Sequence, residues 1–251
     1  MIRRLVTPLL MAAALLSLSR PASAEHFIIG VEAIDYMPHY GVKPNGEYQG
    51  FARALFDAYA ADRGHQIEYR PLPVNRLFHE LLEGRLDFKY PDNAFWQTEL
   101  KTGKTVAYSD PVVNYIDGVL VLPENKGKPV DTIRTLGTVR GFTAFDWLDR
   151  LKSGATALEE NPSFSGLMFQ AMNKRIDGAY ANVAVANNTL DGMQKPGALI
   201  FDPGLPHTRS SYKLSTLKHP EIIADFNAWM KSKPELVAKL KADWAVEKGV
   251  E

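Results

Sequence analysis

Two segments of the sequence, 90 residues apart, are built alike, and this similarity constrains the fold more than any single element. Residues 77–90 align with residues 167–180 without a gap, and each segment predicts a helix, a short polar turn and a strand. The matched positions include Arg85 with Arg175, Leu86 with Ile176, Asp87 with Asp177 and Tyr90 with Tyr180. We therefore expect two lobes of similar construction, with chance similarity between two common helix–strand units as the alternative.

Short apolar, β-rich runs alternate with helical patterns along the chain, which is typical of an α/β fold. Helices are predicted over 51–63, with Gly64 as the C-terminal stop, and over 163–174. The chain from Pro220 onward is predicted to be helical, with a capping box at 232–235 before the last helix. Strands are predicted at residues 27–31, 67–72, 86–90, 119–122, 136–139 and 199–201.

The first 24 residues have the pattern of a secretory signal peptide. Arg3 and Arg4 begin it, an apolar run of 14 residues covers 5–18, and small residues at 22–24 precede the expected cleavage before Glu25. A transmembrane anchor is the alternative, but spanning a bilayer takes roughly 20 apolar residues. We therefore expect export through a cleaved signal peptide.

Charge and cysteine content exclude several classes of function. The sequence has 29 basic and 29 acidic residues, and cleavage would remove three arginines, leaving 26 against 29 and a net charge of −3. This balance gives no reason to expect a nucleic-acid partner. The absence of cysteine excludes disulfides, thiolate metal sites, cysteine nucleophiles and a lipid anchor on cysteine. The histidines lack metal-ligand spacing and no phosphate or dinucleotide loop is present, so we expect no metal and no cofactor.

Five local patterns occur in a characteristic order. They are an aromatic and proline loop at 34–40, G-x-x-x-G-F at 46–51, G-x-x-D at 84–87, a variant of F-S-x-P at 107–111, and a variant of G-V-x-x-G at 136–141. Each is weak alone, but their order and spacing resemble the bacterial extracellular solute-binding proteins of family 3, the periplasmic amino-acid type that serves ABC transporters. The resemblance covers nearly the whole chain after the signal peptide.

The resemblance implies a two-lobed α/β fold of the type II periplasmic-binding class, the Venus-flytrap arrangement, with two hinge strands. The ligand would lie in the cleft between the lobes, which close by hinge motion. The implied boundaries are 25–110 plus 205–251 for lobe one, 112–203 for lobe two, and hinges near 110–118 and 200–206.

Polar residues at two strand ends are candidates for this cleft, because ligands of α/β sheets bind beyond the carboxyl ends of strands. The loops 91–93 and 181–183 are related by the same 90-residue offset and would face each other. Asp92, Asn93 and Asn182 can hydrogen-bond a polar ligand, with a turn cap as the alternative for Asp92. In the family, the position of Asn182 holds an acid that binds the ligand's ammonium group, so the amide departs from the pattern.

The family's arginine for the ligand carboxylate falls near Glu99 by simple spacing, in a region that contains lysines but no arginine. Arg76 and Arg140 are the substitutes that we consider, because a guanidinium group pairs bidentately with a carboxylate. Thr143 and the backbone N–H groups of 141–143 would lie at a helix start beside Arg140. An ordinary salt bridge is the alternative for either arginine.

Five aromatic residues lie in predicted loops rather than on periodic faces, and all of them except Phe95 are candidates for the site. Rings in such loops can stack on a ligand or bind a cation, and hydrophobic anchoring of the loop is the alternative. The candidates are Tyr36, Tyr40, Trp96 and Phe142.

The sequence therefore predicts a periplasmic, non-enzymatic binding protein. It would capture a small polar or zwitterionic, amino-acid-like molecule and deliver it to an inner-membrane ABC permease. Two alternatives stay open: an enzyme on the same fold, similar to cyclohexadienyl dehydratases, with Asp92 and then Glu99 as candidate acids, or a stand-alone solute sensor. We expect a monomer with no stable membrane anchor and no nucleic-acid partner.

Overall fold

The structure, a computed structural model, describes residues 25–250, and the predicted signal peptide lies outside the described residues. The α-helices of this part are α1 (Phe51–Arg63), α2 (Val74–Leu82), α3 (Thr98–Lys101), α4 (Leu148–Lys152), α5 (Phe164–Met172), α6 (Val183–Gly192), α7 (Pro220–Ser232) and α8 (Pro234–Trp244). Its strands are β1 (His26–Glu32), β2 (Gly41–Val42), β3 (Tyr48–Gln49), β4 (Gln66–Leu72), β5 (Phe88–Asp92), β6 (Ala107–Tyr108), β7 (Val113–Val121), β8 (Thr135–Val139), β9 (Ala157–Asn161), β10 (Gly178–Asn182), β11 (Ile200–Phe201) and β12 (Thr208–Thr216). The predicted α/β class is confirmed.

One mixed sheet runs through the molecule in the order β4-β1-β5-β12-β7-β10-β8-β9. β1 pairs in parallel with β4 and β5, and β8 pairs in parallel with β9 and β10. β12 and β7 lie antiparallel to each other at the centre, and each pairs antiparallel with one of the parallel sets. We call β4-β1-β5 with its following loops the first half, β9-β8-β10 with its following loops the second half, and β12 and β7 the central strands.

The repeated segments of the sequence form corresponding elements in the two halves. α2 and β5 recur 90 residues later as α5 and β10, so the predicted helix–turn–strand units are confirmed. The Asp87 Oδ2 atom accepts the backbone N–H of Ile28 on β1 at 2.8 Å. Asp177 Oδ2 accepts that of Thr135 on β8, also at 2.8 Å. Each aspartate thus ties the turn before its strand to the neighbouring parallel strand.

Helix α1 follows the predicted pattern and shows how the core is built. Phe51, Leu55 and Tyr59 are buried on its inner face. Gly64 ends the helix with φ 73°, a left-handed conformation that glycine adopts without steric cost, and its N–H donates to the Ala60 carbonyl. The inner face packs with buried aromatic rings of α7 in one apolar cluster, while α5 and α6 contribute to a second cluster. Over residues 25–250, no helix is both long and apolar enough to cross a bilayer.

The strand ends differ from the prediction. β5 begins at Phe88 and extends to Asp92, so Pro91 and Asp92 lie in the strand rather than in a loop after it. β10 likewise includes Asn182. Both strands are longer because a central strand pairs with their last residues, Lys213 with Asp92 and Asp117 with Asn182. Pairing with a partner distant in sequence is invisible in the local pattern.

Two predicted helix starts are wrong. Residues 141–143 form a turn, in which Gly141 has φ 90°, followed by a 3₁₀ turn at Phe145–Trp147 and the short α4, so Thr143 does not lie at a helix start. The capping box before α8 is also absent: the N-cap is Lys233, and the Ser232 hydroxyl donates back to the carbonyl of Trp229 at 2.8 Å. The preceding helix leaves a carbonyl free at its end, and this acceptor competes for the serine hydroxyl.

Candidate functional site

Aromatic side chains from the two halves pack on one another. Tyr36, in the loop after β1, stacks on Phe142, in the loop after β8, with ring centroids 5.6 Å apart and planes 8° apart. Phe164 at the start of α5 lies edge-on to both rings, at 5.5 and 5.7 Å. Stacked and edge-to-face rings of this kind form an aromatic wall that can also hold a flat or cationic ligand group.

A chain of polar groups continues from this wall to the second half. The hydroxyls of Tyr36 and Tyr212 lie 3.0 Å apart, and Asn182 Nδ2 donates to the Tyr212 hydroxyl at 3.3 Å. Asn182 Oδ1 accepts the backbone N–H of Val185 and caps α6. His39 Nε2 lies 3.4 Å from the same oxygen. Residues of the first half, a central strand and the second half therefore share one hydrogen-bonded group.

Two polar atoms beside this chain lack a partner. Asp117 pairs in the sheet with Asn182 on one side and Thr208 on the other, and its Oδ1 atom is enclosed without a hydrogen bond. Nδ1 of the fully buried His39 has none either. Burial raises the pKa of Asp117 to about 7 and lowers the pKa of His39 to about 4. Buried polar atoms without partners mark places where a ligand or water is needed.

Asp92 lies at the end of β5 in a buried charged cluster. Its Oδ1 atom accepts a hydrogen bond from Lys101 Nζ at 3.0 Å, and its Oδ2 atom accepts one from the Ser215 hydroxyl at 2.7 Å. Lys89 Nζ lies 3.8 Å from Oδ1 and donates to the Pro91 carbonyl. Lys89 and Asp92 are inaccessible to solvent. The carboxylate is thus fully engaged by protein groups.

The lysines of this cluster lie against aromatic rings. Lys89 Nζ is 4.0 Å from the centre of the Phe78 ring and 5.7 Å from that of Trp96. Lys101 Nζ is 5.2 Å from the Phe78 and Tyr108 rings. Burial lowers the pKa of Lys101 and the charge of Asp92 opposes that shift. Cation–π contacts and one carboxylate therefore hold two ammonium groups in the interior.

Two further candidates bind neighbouring protein groups. The Tyr40 hydroxyl donates to Glu32 Oε2 at 2.6 Å, and burial raises the pKa of Glu32 although the charge of Lys89 opposes it. Asn93 Nδ2 donates to the Ser210 hydroxyl at 3.0 Å, which ties the end of β5 to β12.

A cavity of about 700 Å³ opens between the two halves. Ile34, Asp35 and Met37 line it from the loop after β1, and Arg140 and Phe142 line it from the loop after β8. The start of α5 and one face of α6 complete its wall. Within residues 25–250, no group of three or more His, Asp or Glu side chains is arranged to hold a metal ion.

The structure brings some of the predicted site residues together. Tyr36, Phe142 and Asn182 share the aromatic and polar group described above, and Trp96 lies edge-on to Tyr212 at 6.0 Å. Tyr40 stacks behind Tyr36 at 5.1 Å.

Other predicted residues lie outside this group. Arg76 is 65% exposed on α2 and pairs with Glu80 at 3.3 Å, which is the salt-bridge alternative considered for it. Arg140 and Thr143 are exposed in the turn after β8, and only Arg140 lines the cavity.

Sequence reasoning missed His39, Asp117, Tyr212 and the lysine pair of the charged cluster. A signal existed for two of them: Asp117 interrupts the largely apolar run of residues 115–121, and Lys89 stands between two aromatic residues of another strand. Charged residues at such positions are buried only with a specific role. Tyr212 gave no signal, because the polar run of 208–211 concealed the strand that carries it.

Comparison with known protein families gives a match over residues 28–246 to the bacterial extracellular solute-binding proteins, family 3. The chain belongs to this family. The family resemblance is therefore confirmed. Tyr36 lies in the segment 34–40 that helped to carry it, and its stacking partner Phe142 directly follows the segment 136–141. No curated protein matches the sequence significantly.

Solved structures similar to this family member are of several kinds. An ancestral arginine-binding protein bound to arginine has 20% identity and a TM-score of 0.67, over 87% of this chain and 97% of that one. An ancestral amino-acid-binding protein, a precursor of cyclohexadienyl dehydratase, has 19% identity and a TM-score of 0.65 over 87% and 95%. A histidine kinase sensor domain with similarity to periplasmic binding proteins has 16% identity and a TM-score of 0.66, over 87% of this chain and 95% of that one. At these identities the likeness establishes the fold: the two-lobed type II periplasmic-binding fold, as predicted.

Proposed function

We propose that this solute-binding protein captures a small polar, amino-acid-like molecule between its two lobes and delivers it to an ABC permease of the inner membrane. Membership of an extracellular solute-binding family supports the capture of a small molecule. Periplasmic location after cleavage of the signal peptide, the permease partner and a monomeric state belong to the same proposal.

The observation that carries the proposal is the contact of Tyr36 with Phe142. One ring follows β1 and the other follows β8: Phe142 lines the cavity, and Tyr36 lies in the loop whose residues Ile34, Asp35 and Met37 line it. A ligand inserted here would touch both halves at once. Contacts that exist only when both halves are engaged favour the closed state, which is how binding energy is converted into hinge closure.

The lobe boundaries that we propose are 25–110 plus 205–251, and 112–203, with the hinges near 110–118 and 200–206. The central strands β7 and β12 support them, because these strands alone join the two parallel sets in the sheet order of the described residues. We propose Tyr36, Tyr40, Asn93, Trp96, Phe142 and Asn182 as ligand-contact or contact-supporting residues, and Arg140 as the anion-binding group at the rim.

A thermal-shift screen tests the proposal, because a ligand that binds only the native state raises the melting temperature. The panel should contain amino acids, polyamines, small carboxylates and betaines. Calorimetry with each hit should then show at least tenfold weaker binding, about 1.4 kcal/mol, for Trp96→Ala and for Arg140→Ala. A panel without a hit argues against solute capture, and unchanged affinity in a variant removes that residue from the site.

The enzyme alternative has a specific observation in its favour, since one structural neighbour is a precursor of a dehydratase. Asp92 is poorly suited to proton transfer, because a lysine and a serine already occupy its oxygens. Incubation with prephenate or arogenate, followed by chromatography, tests this alternative: product formation would establish an enzyme.

A further inference from the structure

Asp117 is a carboxylate without a counter-charge. It lies on β7 with Asn182 and Thr208 as its strand neighbours, and it forms no salt bridge with any group of residues 25–250. Its Oδ1 atom is fully enclosed although the residue as a whole is partly exposed. A buried carboxylate without a cation is costly, so an unpaired one is a candidate for binding a cationic group.

The other buried carboxylates of the first half are already neutralised. Asp92 accepts a hydrogen bond from Lys101 Nζ at 3.0 Å. Glu32 accepts one from the Tyr40 hydroxyl at 2.6 Å and lies in the field of Lys89. Neither carboxylate has capacity left for an added cation, whereas Asp117 does.

Aromatic groups surround the Asp117 carboxylate. The strand register places Tyr115, Tyr180 and Tyr212 on the same face of the sheet as Asp117, since Tyr180 lies opposite Val119 and Tyr212 opposite Val113. Burial, and to a smaller extent the charge of Asp117, raises the pKa of these three hydroxyls and of Tyr36. Tyr115 and Tyr212 are stacked with ring centroids 4.3 Å apart. A carboxylate among aromatic faces combines the two features that bind organic cations, namely a negative charge and π faces.

We propose that Asp117 is the counter-charge for a cationic group of the bound solute, so that the ligand is a small organic cation or carries a protonated amine or guanidinium at one end. The proposal rests on the proposed capture of a solute between the lobes. Asn182 would orient the same group through its carbonyl oxygen, and the tyrosine rings would exclude water from it. Asn182 then needs no charge of its own, because Asp117 on the neighbouring strand β7 supplies the negative charge for the ligand.

Binding of a cation should depend on pH. Burial raises the pKa of Asp117 to about 7, the neighbouring Asn182 lowers it and Asp146 raises it. The four tyrosines have pKa values raised above their ordinary range, and the pKa of His39 is about 4, so these groups do not titrate between pH 5.5 and 8. Affinity for a cation should therefore fall as pH drops through this window, because the proton competes for the carboxylate.

The experiment is calorimetry with matched probes that differ in one cationic group but little in shape: L-arginine with L-citrulline for a side-chain cation, L-norvaline with L-2-hydroxyvalerate for an α-ammonium group, and putrescine with 1,4-butanediol. The wild type should bind the member with the cationic group at least tenfold more tightly than its partner at pH 8 in at least one pair, with the difference shrinking at pH 5.5. Asp117→Asn should lose this preference. The matched control is Asp149→Asn, an exposed carboxylate on α4, which should keep it.

The outcomes separate this proposal from the broader one. Charge preference retained in Asp117→Asn, or equal binding of both members of each pair by the wild type, overturns the role of Asp117. A full screen whose hits all lack a protonated amine, a guanidinium or a quaternary ammonium group also overturns it, while leaving solute capture intact. A screen with no hits of any charge counts against solute capture itself. The wild-type pH profile needs no variant, so the test stands even if Asp117→Asn folds poorly.

Discussion

The two halves of the sheet end their corresponding strands with different chemistry. β5 ends at Asp92 and β10 ends at Asn182, 90 residues later. The Asp92 carboxylate accepts hydrogen bonds from Lys101 and Ser215, and Lys89 Nζ lies 3.8 Å from its Oδ1 atom. Asn182 carries no charge and hydrogen-bonds with groups of β12, of α6 and of the loop after β1.

This difference shows how one supersecondary unit serves two purposes. The charged cluster fastens the end of β5 to α3 and β12, because Asp92 accepts hydrogen bonds from Lys101 and Ser215 and moving it would leave buried ammonium groups unpaired. The amide of the second half can donate and accept, and its partners can be exchanged at modest cost. We therefore regard the end of β5 as a fixed wall and the end of β10 as the adjustable side of the site.

The largest effect should come from removing the buried carboxylate of Asp92 in the first half. Asp92→Ala leaves Lys89 and Lys101 buried without their carboxylate and should lower the free energy of unfolding by about 3–5 kcal/mol. Asn182→Ala at the matching position should cost only about 1–2 kcal/mol, for one helix cap and weak hydrogen bonds. Urea denaturation of both variants measures the two losses.

Equal losses in the two variants would contradict the assignment of a charged, rigid end to one half only. Asp92→Asn is the control for shape, because it keeps the volume and the hydrogen bond of Ser215 while removing the charge, and it should be nearly as destabilising as the alanine variant.

A second effect should be seen at acid pH through His39, because burial lowers its pKa while its hydrogen bond with Asn182 opposes that shift. The pKa of His39 is about 4 when folded and near 6.5 when unfolded, so the unfolded state takes up a proton first as pH falls. Stability should therefore be full above pH 6.5 and be lost between 6.5 and 4, by up to about 3 kcal/mol.

Denaturation at pH 7 and at pH 4.5 checks this slope. His39→Gln should flatten it, whereas His79→Gln, on the exposed face of α2, should not. A slope that persists unchanged in His39→Gln would place its origin elsewhere.

A third prediction tests how alike the halves are. A Cβ at Gly30 would collide with Leu77 and Leu86, and a Cβ at Gly137 would collide with Leu167 and Ile176. Leu167 and Ile176 correspond to Leu77 and Leu86 through the 90-residue repeat, so the two glycines face equivalent neighbours. Gly30→Ala and Gly137→Ala should each destabilise by about 1–3 kcal/mol, and by similar amounts. Gly192→Ala, which meets open space, is the control. A loss confined to one variant would show that the two packing sites are not equivalent.

The smallest predicted effect concerns helix starts. Ser163 caps α5 by accepting the N–H of Gly166 at 3.1 Å, whereas α2 follows Pro73 without a side-chain cap. Ser163→Ala should cost about 1 kcal/mol. The exposed Ser165→Ala in the same helix should cost nothing, since alanine is the better helix former. If both serines cost the same, the cap contributes nothing to stability.

The sequence predicted most of the elements that local patterns specify. The internal repeat, α1 with its glycine stop and the family were all found, because apolar periodicity and turn residues are local signals. The full lengths of β5 and β10, and the whole of β12, depend on pairing between distant segments, and the polar run of 208–211 resembles a loop.

The candidate site was only partly predictable for a similar reason. Loop aromatics such as Tyr36 and Phe142 could be named, because their rings stood outside any periodic face. Arg76 was chosen for its chemistry, but α2 places it on an exposed face beside Glu80. Asp117 became a candidate only when the sheet placed it beside Asn182 and left its oxygen without a partner.

The central claim is that one ligand touches both halves. Calorimetry with a hit from the solute panel tests it directly in Tyr36→Ala, from the first half, and Phe142→Ala, from the second. Each should weaken binding at least tenfold, about 1.4 kcal/mol, while Phe169→Ala on the exposed face of α5 should leave the affinity unchanged. Unchanged affinity in either Tyr36→Ala or Phe142→Ala would mean that one half binds alone, and would contradict capture between the lobes.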